Sequence, residues 1–261
     1  MKIAIVTGDS SGIGRATAKA LSDMGCTVYG FSRRGCDLPG IRHLSVDVTS
    51  EEGVRAAVEH VAAREGRIDI LVNCAGFGIS GAVEFTELSA AKRQFDVNFF
   101  GTVNTVKAVL PYMRQAGEGR IVNISSVAAV AHIPFQTFYS ATKAAIESYS
   151  QALANEVRPF GITVTCAQPG DIRTGFTQAR EKSPLGDDVY GGRISQSVAG
   201  MERDEEKGMS PEAVGSIIAR LCLRKRVRPI HTVGFGYQCL SLLCKLLPGA
   251  LRSRIVGLLY G

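Results

Sequence analysis

Apolar residues recur along this chain in two rhythms. Short, nearly continuous Val/Ile-rich runs occupy residues 2–6, 27–31, 42–47, 68–73, 120–124, 163–167 and 230–233. Runs of that length without polar alternation suit strands buried on both faces. Between them, apolar positions return every three or four residues at 13–24, 51–65, 90–113, 139–157 and 211–222, which predicts amphipathic helices. Alternation of strand and helix requires right-handed crossovers, and so a parallel sheet covered by helices on both faces. The predicted class is α/β, a doubly wound sheet of about seven strands. The link 32–41 contains Gly35, Pro39 and Gly40, which argues against a helix there.

Two stretches break the rhythm. Residues 175–208 are rich in Gly, Ser and charge without clean periodicity, and read as a long substrate loop. Residues 237–259 read as Leu-rich helical segments broken at Pro248-Gly249. The expected organisation is one catalytic domain over 1–235, including that loop, followed by a helical tail over 236–261.

Composition narrows the function classes. Of 261 residues, 45% are apolar, enough to bury a sizeable core. The net charge is +6, yet residues 217–261 hold eight basic and no acidic side chains, so the body sums to −2. The basic tail lacks the aromatics or motif of a nucleic-acid surface, and nucleic acid is not an expected partner. Its leucines and cations suit packing on the body or another subunit, or peripheral contact with an anionic membrane. The N-terminal run ends in Thr7-Gly8 without a cleavage site, so it reads as a first strand and the expected location is cytoplasmic, with membrane association through the tail as the variant. Seven cysteines with no CxxC pair read as reduced core residues, and four scattered histidines support no metal site.

Chemistry concentrates at two places. Thr7-Gly8-Asp9-Ser10-Ser11-Gly12-Ile13-Gly14 joins the first predicted strand to the first helix. Glycine lets backbone approach a ligand, and a helix N-terminus offers free N–H groups to a pyrophosphate. At the end of the second strand stand Ser32, Arg33 and Arg34. A carboxylate there would choose NAD, whereas guanidinium pairs with phosphate, so NADP(H) is expected over NAD(H). The second place is Tyr139-Ser140-Ala141-Thr142-Lys143, which sets Tyr and Lys on one helical face. An ammonium near a phenol favours the phenolate, and the pair can exchange a proton with a carbonyl or alcohol oxygen. Ser126, thirteen residues earlier, ends a strand where its hydroxyl could meet the same oxygen.

These features, in this order, identify the chain as a member of the compact short-chain dehydrogenase/reductase family over about residues 1–235: the glycine turn at 7–14, Asp47-Val48, Asn73-Cys74-Ala75-Gly76, Asn98, Ser126, Tyr139 with Lys143, and Pro169-Gly170 followed by Thr174. The resemblance implies a Rossmann-type fold and a general acid/base at Tyr139. Lys143 would lower the pKa of Tyr139 and bind the nicotinamide ribose, Ser126 would polarise the carbonyl, and Asn98 would hold a water linking Lys143 to solvent. It further implies that Gly8, Ser10, Ser11, Gly12, Ile13 and Gly14 cradle the pyrophosphate and that Asp47 and Val48 contact the adenine. Asn73, Ala75 and Gly76 would lie along the cofactor and support the sheet, and Ile172 and Thr174 would hold the carboxamide. Relatives are commonly dimers or tetramers, so a homo-oligomer is expected.

The sequence departs from the pattern at Asp9, a carboxylate in the phosphate loop, at Cys74, and at Asp171 and Arg173. Ser11 stands where many NADP-using relatives carry a base. The substrate pocket is expected between 76–83, 127–138 and 175–208. Val127, Val130, Ile133, Phe135 and Phe138 there point to an apolar carbonyl substrate, such as a steroid, retinoid or lipid-like molecule. The alternatives are an NAD-dependent dehydrogenase of a small polar alcohol, a nucleotide-sugar epimerase, and a non-catalytic NADP-binding regulator. The short chain argues against the epimerase, and retention of Tyr139 and Lys143 argues against the regulator.

Overall fold

The computed structural model describes residues 1–35 and 37–260, so Cys36 of the cysteine set lies outside the described residues. The first half runs β1 (Ile3–Thr7), α1 (Gly12–Asp23), β2 (Thr27–Ser32), β3 (Ile41–Ser45), α2 (Glu51–Glu65), β4 (Ile70–Asn73), β5 (Ile79–Ser80), α3 (Leu88–Phe95), α4 (Gly101–Ala116) and β6 (Gly119–Ile124). The second runs α5 (Ala128–Ala131), α6 (Thr137–Val157), β7 (Ile162–Pro169), α7 (Phe176–Ala179), β8 (Glu181–Lys182), α8 (Arg193–Glu206), α9 (Pro211–Leu223), β9 (Ile230–Val233), α10 (Phe235–Leu246) and α11 (Gly249–Tyr260).

Seven strands form one parallel sheet in the order β3-β2-β1-β4-β6-β7-β9. Alternate residues of each strand feed opposite cores. Ile3, Ile5, Leu71 and Ile121 pack with Val54, Val58, Val106 and Met113 of α2 and α4. Ala4, Val6, Ile70, Val72 and Val122 pack with Leu21 of α1 and Val214 and Ile218 of α9. Burial on both faces is why these strands lack polar alternation. The order reverses between β1 and its neighbours β2 and β4, which opens a crevice beyond their carboxyl ends.

Local signals set several boundaries. Ser50 accepts a hydrogen bond from the Gly53 N–H at 3.0 Å to cap α2, and Gly66 ends it in the left-handed region at φ 75°. The single helix expected over 90–113 is instead α3, a π-helical turn over Asp96–Phe100, and α4. A π turn inserts one residue and shifts the helical phase, which here turns Asn98 into the protein interior.

Residues 175–208 are not an irregular loop. They form α7, then β8, which pairs in parallel with β5, and then α8. The segment is fastened to the body at β8, and near its end by a bridge between Ile172 and Met209. The tail forms α10 and α11, broken at Leu247-Pro248. It lies on the body through Ser241, Cys244 and Val256, while Leu242, Leu246 and Leu258 face outward. Among the described residues no helix is long and apolar enough to cross a membrane.

Candidate active site

A cavity of about 610 Å³ opens over the crevice and runs from the β1–α1 turn to α8. Its first end is made of main chain. Gly8 has φ +70°, and a Cβ there would stand 3.0 Å from the backbone of Ala75. A Cβ on Gly14 would lie 2.2 Å from the Gly8 carbonyl oxygen. Gly12, at φ +53°, leaves room beside Thr174. Only hydrogen fits at the first two positions, and the bare backbone brings the α1 N-terminus to the cavity, a cradle suited to a pyrophosphate. Ser10, Ser11 and Ile13 line the same turn.

Further along this end lie Ser32, Arg33, Arg34, Asp47 and Val48. Arg33 and Arg34 are exposed, and neither is ion-paired within hydrogen-bonding reach among the described residues. Asp47 is held below the usual carboxylate range, first by the Thr49 N–H it accepts at 2.9 Å. Asp9 does not face the cavity. It is fully buried, with Oδ1 2.6 Å from the Ser32 hydroxyl and Oδ2 3.1 Å from His43 Nδ1. The carboxylate occupies the space a side chain at Gly30 would need, since a Cβ there would sit 1.9 Å from Asp9 Oδ2. The charge in the phosphate loop is thereby turned under the sheet edge, away from any anion in the cradle.

The middle of the cavity holds Ser126, Tyr139 and Lys143. The Ser126 hydroxyl hydrogen-bonds the Tyr139 phenol and accepts from the Ala128 N–H at 3.2 Å. Lys143 is buried, and its Nζ donates to the Ile124 carbonyl at 2.8 Å while standing 5.6 Å from the Tyr139 ring centroid. Burial dominates both groups. It pushes the Tyr139 phenol up to about 12, against the pull of the Ser126 hydrogen bond, and brings the Lys143 ammonium down to about 8. The expected lowering of Tyr139 by Lys143 is therefore not the governing effect here. A phenol held protonated near neutrality is a proton donor, the form needed to protonate a carbonyl oxygen.

Ala75, Gly76, Pro169, Gly170, Ile172 and Thr174 also line the cavity. Asn98 and Asn73 do not. Asn98 accepts from the Phe77 N–H at 2.9 Å and donates to the Phe77 carbonyl and Thr142, which fixes the loop beside Gly76. Asn73 donates to Asn123 at 2.9 Å and accepts from Thr105 at 2.7 Å inside the sheet. Of its two expected roles, the structure displays the support of the sheet. Of the five apolar residues expected around the substrate, Val127 and Ile133 line the cavity. Phe135 instead packs with Ala82 and Ile194 beneath the segment over 175–208.

That segment brings residues the sequence did not single out. Phe176 lies 5.7 Å from Tyr139, centroid to centroid, and Arg180 stands over the same Phe176 ring at 5.5 Å from its centroid. Glu205 pairs with Arg180, and Met201 and Gln136 close the same end. Arg180 and Glu205 are separated by 25 residues, and no local spacing marks them as partners.

Comparison with known proteins identifies the family. The short chain dehydrogenase family model matches residues 2–184. A 3-ketodihydrosphingosine reductase of Bacteroides thetaiotaomicron is 47% identical over 227 residues, covering 86% of this chain and 84% of that protein. A probable short-chain type dehydrogenase/reductase of Helicobacter pylori is 30% identical, covering 95% and 94%. The crystal structure of a short-chain dehydrogenase from Streptomyces avermitilis superposes with a TM-score of 0.83 at 34% identity, covering 98% of this chain and 94% of that one. The chain belongs to the short-chain dehydrogenase/reductase family. It is an oxidoreductase of the NAD(P)(H)-dependent kind that this family comprises.

Proposed function

We propose that this enzyme reduces a ketone on a long-chain, lipid-like molecule with NADPH, and that Tyr139 donates the proton. The observation that carries the reading is the buried Tyr139 phenol, hydrogen-bonded to Ser126 and placed beside Lys143 at the end of a glycine-built cradle. The backbone at Gly8, Gly12 and Gly14 would hold the pyrophosphate, and Ser32, Arg33 and Arg34 would meet the 2′-phosphate. Asp47 and Val48 would flank the adenine, while Ile172 and Thr174 would hold the nicotinamide. When bound, the reduced nicotinamide supplies the hydride.

The remaining steps belong to side chains of this chain. Ser126 donates to the carbonyl oxygen and orients it toward the phenol. Tyr139 passes its proton to that oxygen as charge builds there. Lys143, cationic below about pH 8, stabilises the phenolate that remains. Asn98 fixes the backbone against which Gly76 and Lys143 are set. Val127, Ile133, Phe176 and Met201 give the substrate end an apolar lining, which suits an alkyl chain. The substrate named for the Bacteroides thetaiotaomicron relative, 3-ketodihydrosphingosine, has that character and is the first to test.

The test is NADPH oxidation with this ketone by the native chain and by Tyr139→Phe. Turnover is expected to fall roughly 10²–10⁴-fold in the variant while NADPH affinity is kept. Undiminished turnover, or a clear preference for NADH in the native chain, refutes the respective half of the proposal.

A further inference from the structure

Helix α10 buries small and polar positions and exposes large apolar ones. Ser241 and Cys244 face the body, while Phe235, Leu242 and Leu246 are 82%, 59% and 73% exposed. With the exposed Cys239, these three stand at 235, 239, 242 and 246, so they fall on one helical stripe opposite the buried pair. The same order recurs in α11, where Val256 is buried and Leu251, Ile255 and Leu258 form an outward stripe. A helix that only packed on the body would turn its apolar stripe inward. Eight of the seventeen exposed large apolar side chains among the described residues lie between 235 and 258, so the surface is a concentrated patch and not scattered exposure. A groove of about 490 Å³ lined by Met209, Phe235, Tyr237 and Leu240 extends it at the first turn of α10.

The charge on this surface has one sign. Residues 213–261 contain no Asp or Glu. At helical spacing Lys245 borders the α10 stripe, and Arg252 and Arg254 border the α11 stripe on its two sides. None of the three is ion-paired among the described residues. Arg252 NH1 donates to the Cys244 carbonyl at 3.2 Å, which ties α11 to α10. An apolar stripe edged by long cationic side chains fits the boundary of an anionic bilayer. Leucines enter the acyl region, and the stems of Lys and Arg let their charged heads reach lipid phosphates. The same strip suits a second copy of itself poorly, since an isologous pairing sets cations against cations with no acid of the strip between them.

We propose that α10 and α11 dock in the plane of an anionic membrane surface, with Phe235, Leu242, Leu246, Leu251, Ile255 and Leu258 turned into it. The helices insert by their stripes and cross nothing. Both rest on α5, and α11 also reaches α8. Helix α5 stands between Val127 and Ile133, and α8 carries Met201, all three of which line the substrate end of the cavity. Docking therefore brings that end to the lipid, where a lipid-like ketone is concentrated. This last consequence rests on the carbonyl-reductase reading; the docking itself does not.

The experiment sediments the full chain with vesicles of phosphatidylcholine alone, or of phosphatidylcholine with about one third phosphatidylglycerol. The anionic vesicles are expected to bind it at least about tenfold more tightly, and raising salt from about 0.1 M to about 0.5 M to weaken that binding severalfold. The double variant Leu242→Ser/Leu246→Ser is expected to lower binding at least about tenfold, with a thermal melt matching the native chain's. Lys245→Glu/Arg254→Glu, which leaves the apolar stripes untouched, carries the same expectation should the serine variant not fold. Equal pelleting on both vesicle types, or none on either, overturns the docking even if no variant folds. So does undiminished binding by the folded serine variant, which moves the contact to another surface such as residues 224–228. A native oligomer that falls apart in the serine variant, read by sedimentation velocity without vesicles, marks the strip as an interface between copies and also overturns the proposal. Turnover is measured separately, with a long-chain ketone carried in anionic vesicles and a soluble short-chain one. The serine variant is expected to lose at least about fivefold on the first and nothing on the second, and equal use of both overturns the delivery of substrate from the lipid. Turnover of neither ketone by the native chain refutes the carbonyl-reductase reading, and the docking is then judged on pelleting alone.

Discussion

At the β1–α1 turn the cavity wall is main chain. Gly8 and Gly14 are set so closely that a single added carbon would strike backbone, and the polar groups offered are N–H donors fixed by α1. At the substrate end the wall is side chain: Phe176, Arg180, Met201 and Glu205 project from a segment joined to the body by a two-residue ladder and a bridge. The glycine turn, unlike the exposed Arg33 and Arg34 further along, has no adjustable parts and suits a ligand common to many enzymes. The substrate end can change its lining without disturbing the sheet, so specificity can be rewritten there.

Adding one methyl group at each end measures that contrast. Gly14→Ala places a carbon 2.2 Å from the Gly8 carbonyl oxygen and is expected to cost about 3 kcal/mol or more of stability, with loss of NADPH binding. Denaturant melts and cofactor titration report both, and an unaltered midpoint would show that the cradle yields. Between the two ends, Lys143 goes from its ordinary value of 10.5 to about 8 on burial. At this group the folded state therefore binds fewer protons than the unfolded chain between those limits, so the Lys143 contribution to the stability of the cofactor-free protein rises with pH across that window, against the opposite contributions of the buried Tyr139 phenol and the Cys74 and Cys166 thiols, which burial pushes up. Lys143→Met is expected to lack this rise and to be more stable than the native chain below pH 8 by on the order of 3 kcal/mol. Parallel stability profiles for the two proteins would disprove the buried-cation account.

Smaller effects follow. Arg33→Ala removes a charge-assisted contact and is expected to weaken NADPH by roughly 10–100-fold while sparing NADH, as read from the two Kd values. Equal weakening of both cofactors would move the 2′-phosphate site elsewhere. Gly175→Ala, at the substrate end, meets nothing within 4 Å and is expected to change stability by less than about 1 kcal/mol, with NADPH affinity intact. A large loss there would erase the distinction between the two ends.

Much of the frame was legible because its burial is two-sided. Strands covered on both faces must be apolar throughout, which leaves runs such as Ile3 to Val6 that a reader can find. The glycine turn and the Tyr139–Lys143 pair were visible for a similar reason, since each is local in sequence. The π turn was not, because one inserted residue leaves the apolar spacing of 90–113 almost intact. Helix α8 was missed for a different cause. Its buried positions are Ile194, Ser197, Met201 and Glu205, at helical spacing, but two of the four are polar and the periodicity fades. The same choice that hid the helix puts Glu205 at the cavity. Residues that serve a site by replacing apolar ones erase the signal that would have located them.

The carboxylate of Asp9 and the bare backbone of Gly30 fill one another's space. Neither can be exchanged alone: a side chain at 30 would strike the buried acid, and a small residue at 9 would leave Ser32 and His43 facing a void. Two positions 21 residues apart are therefore a single heritable unit. Descendant chains are expected to vary at both sites together or at neither, so a lineage that drops the acid is also free to thicken the second strand.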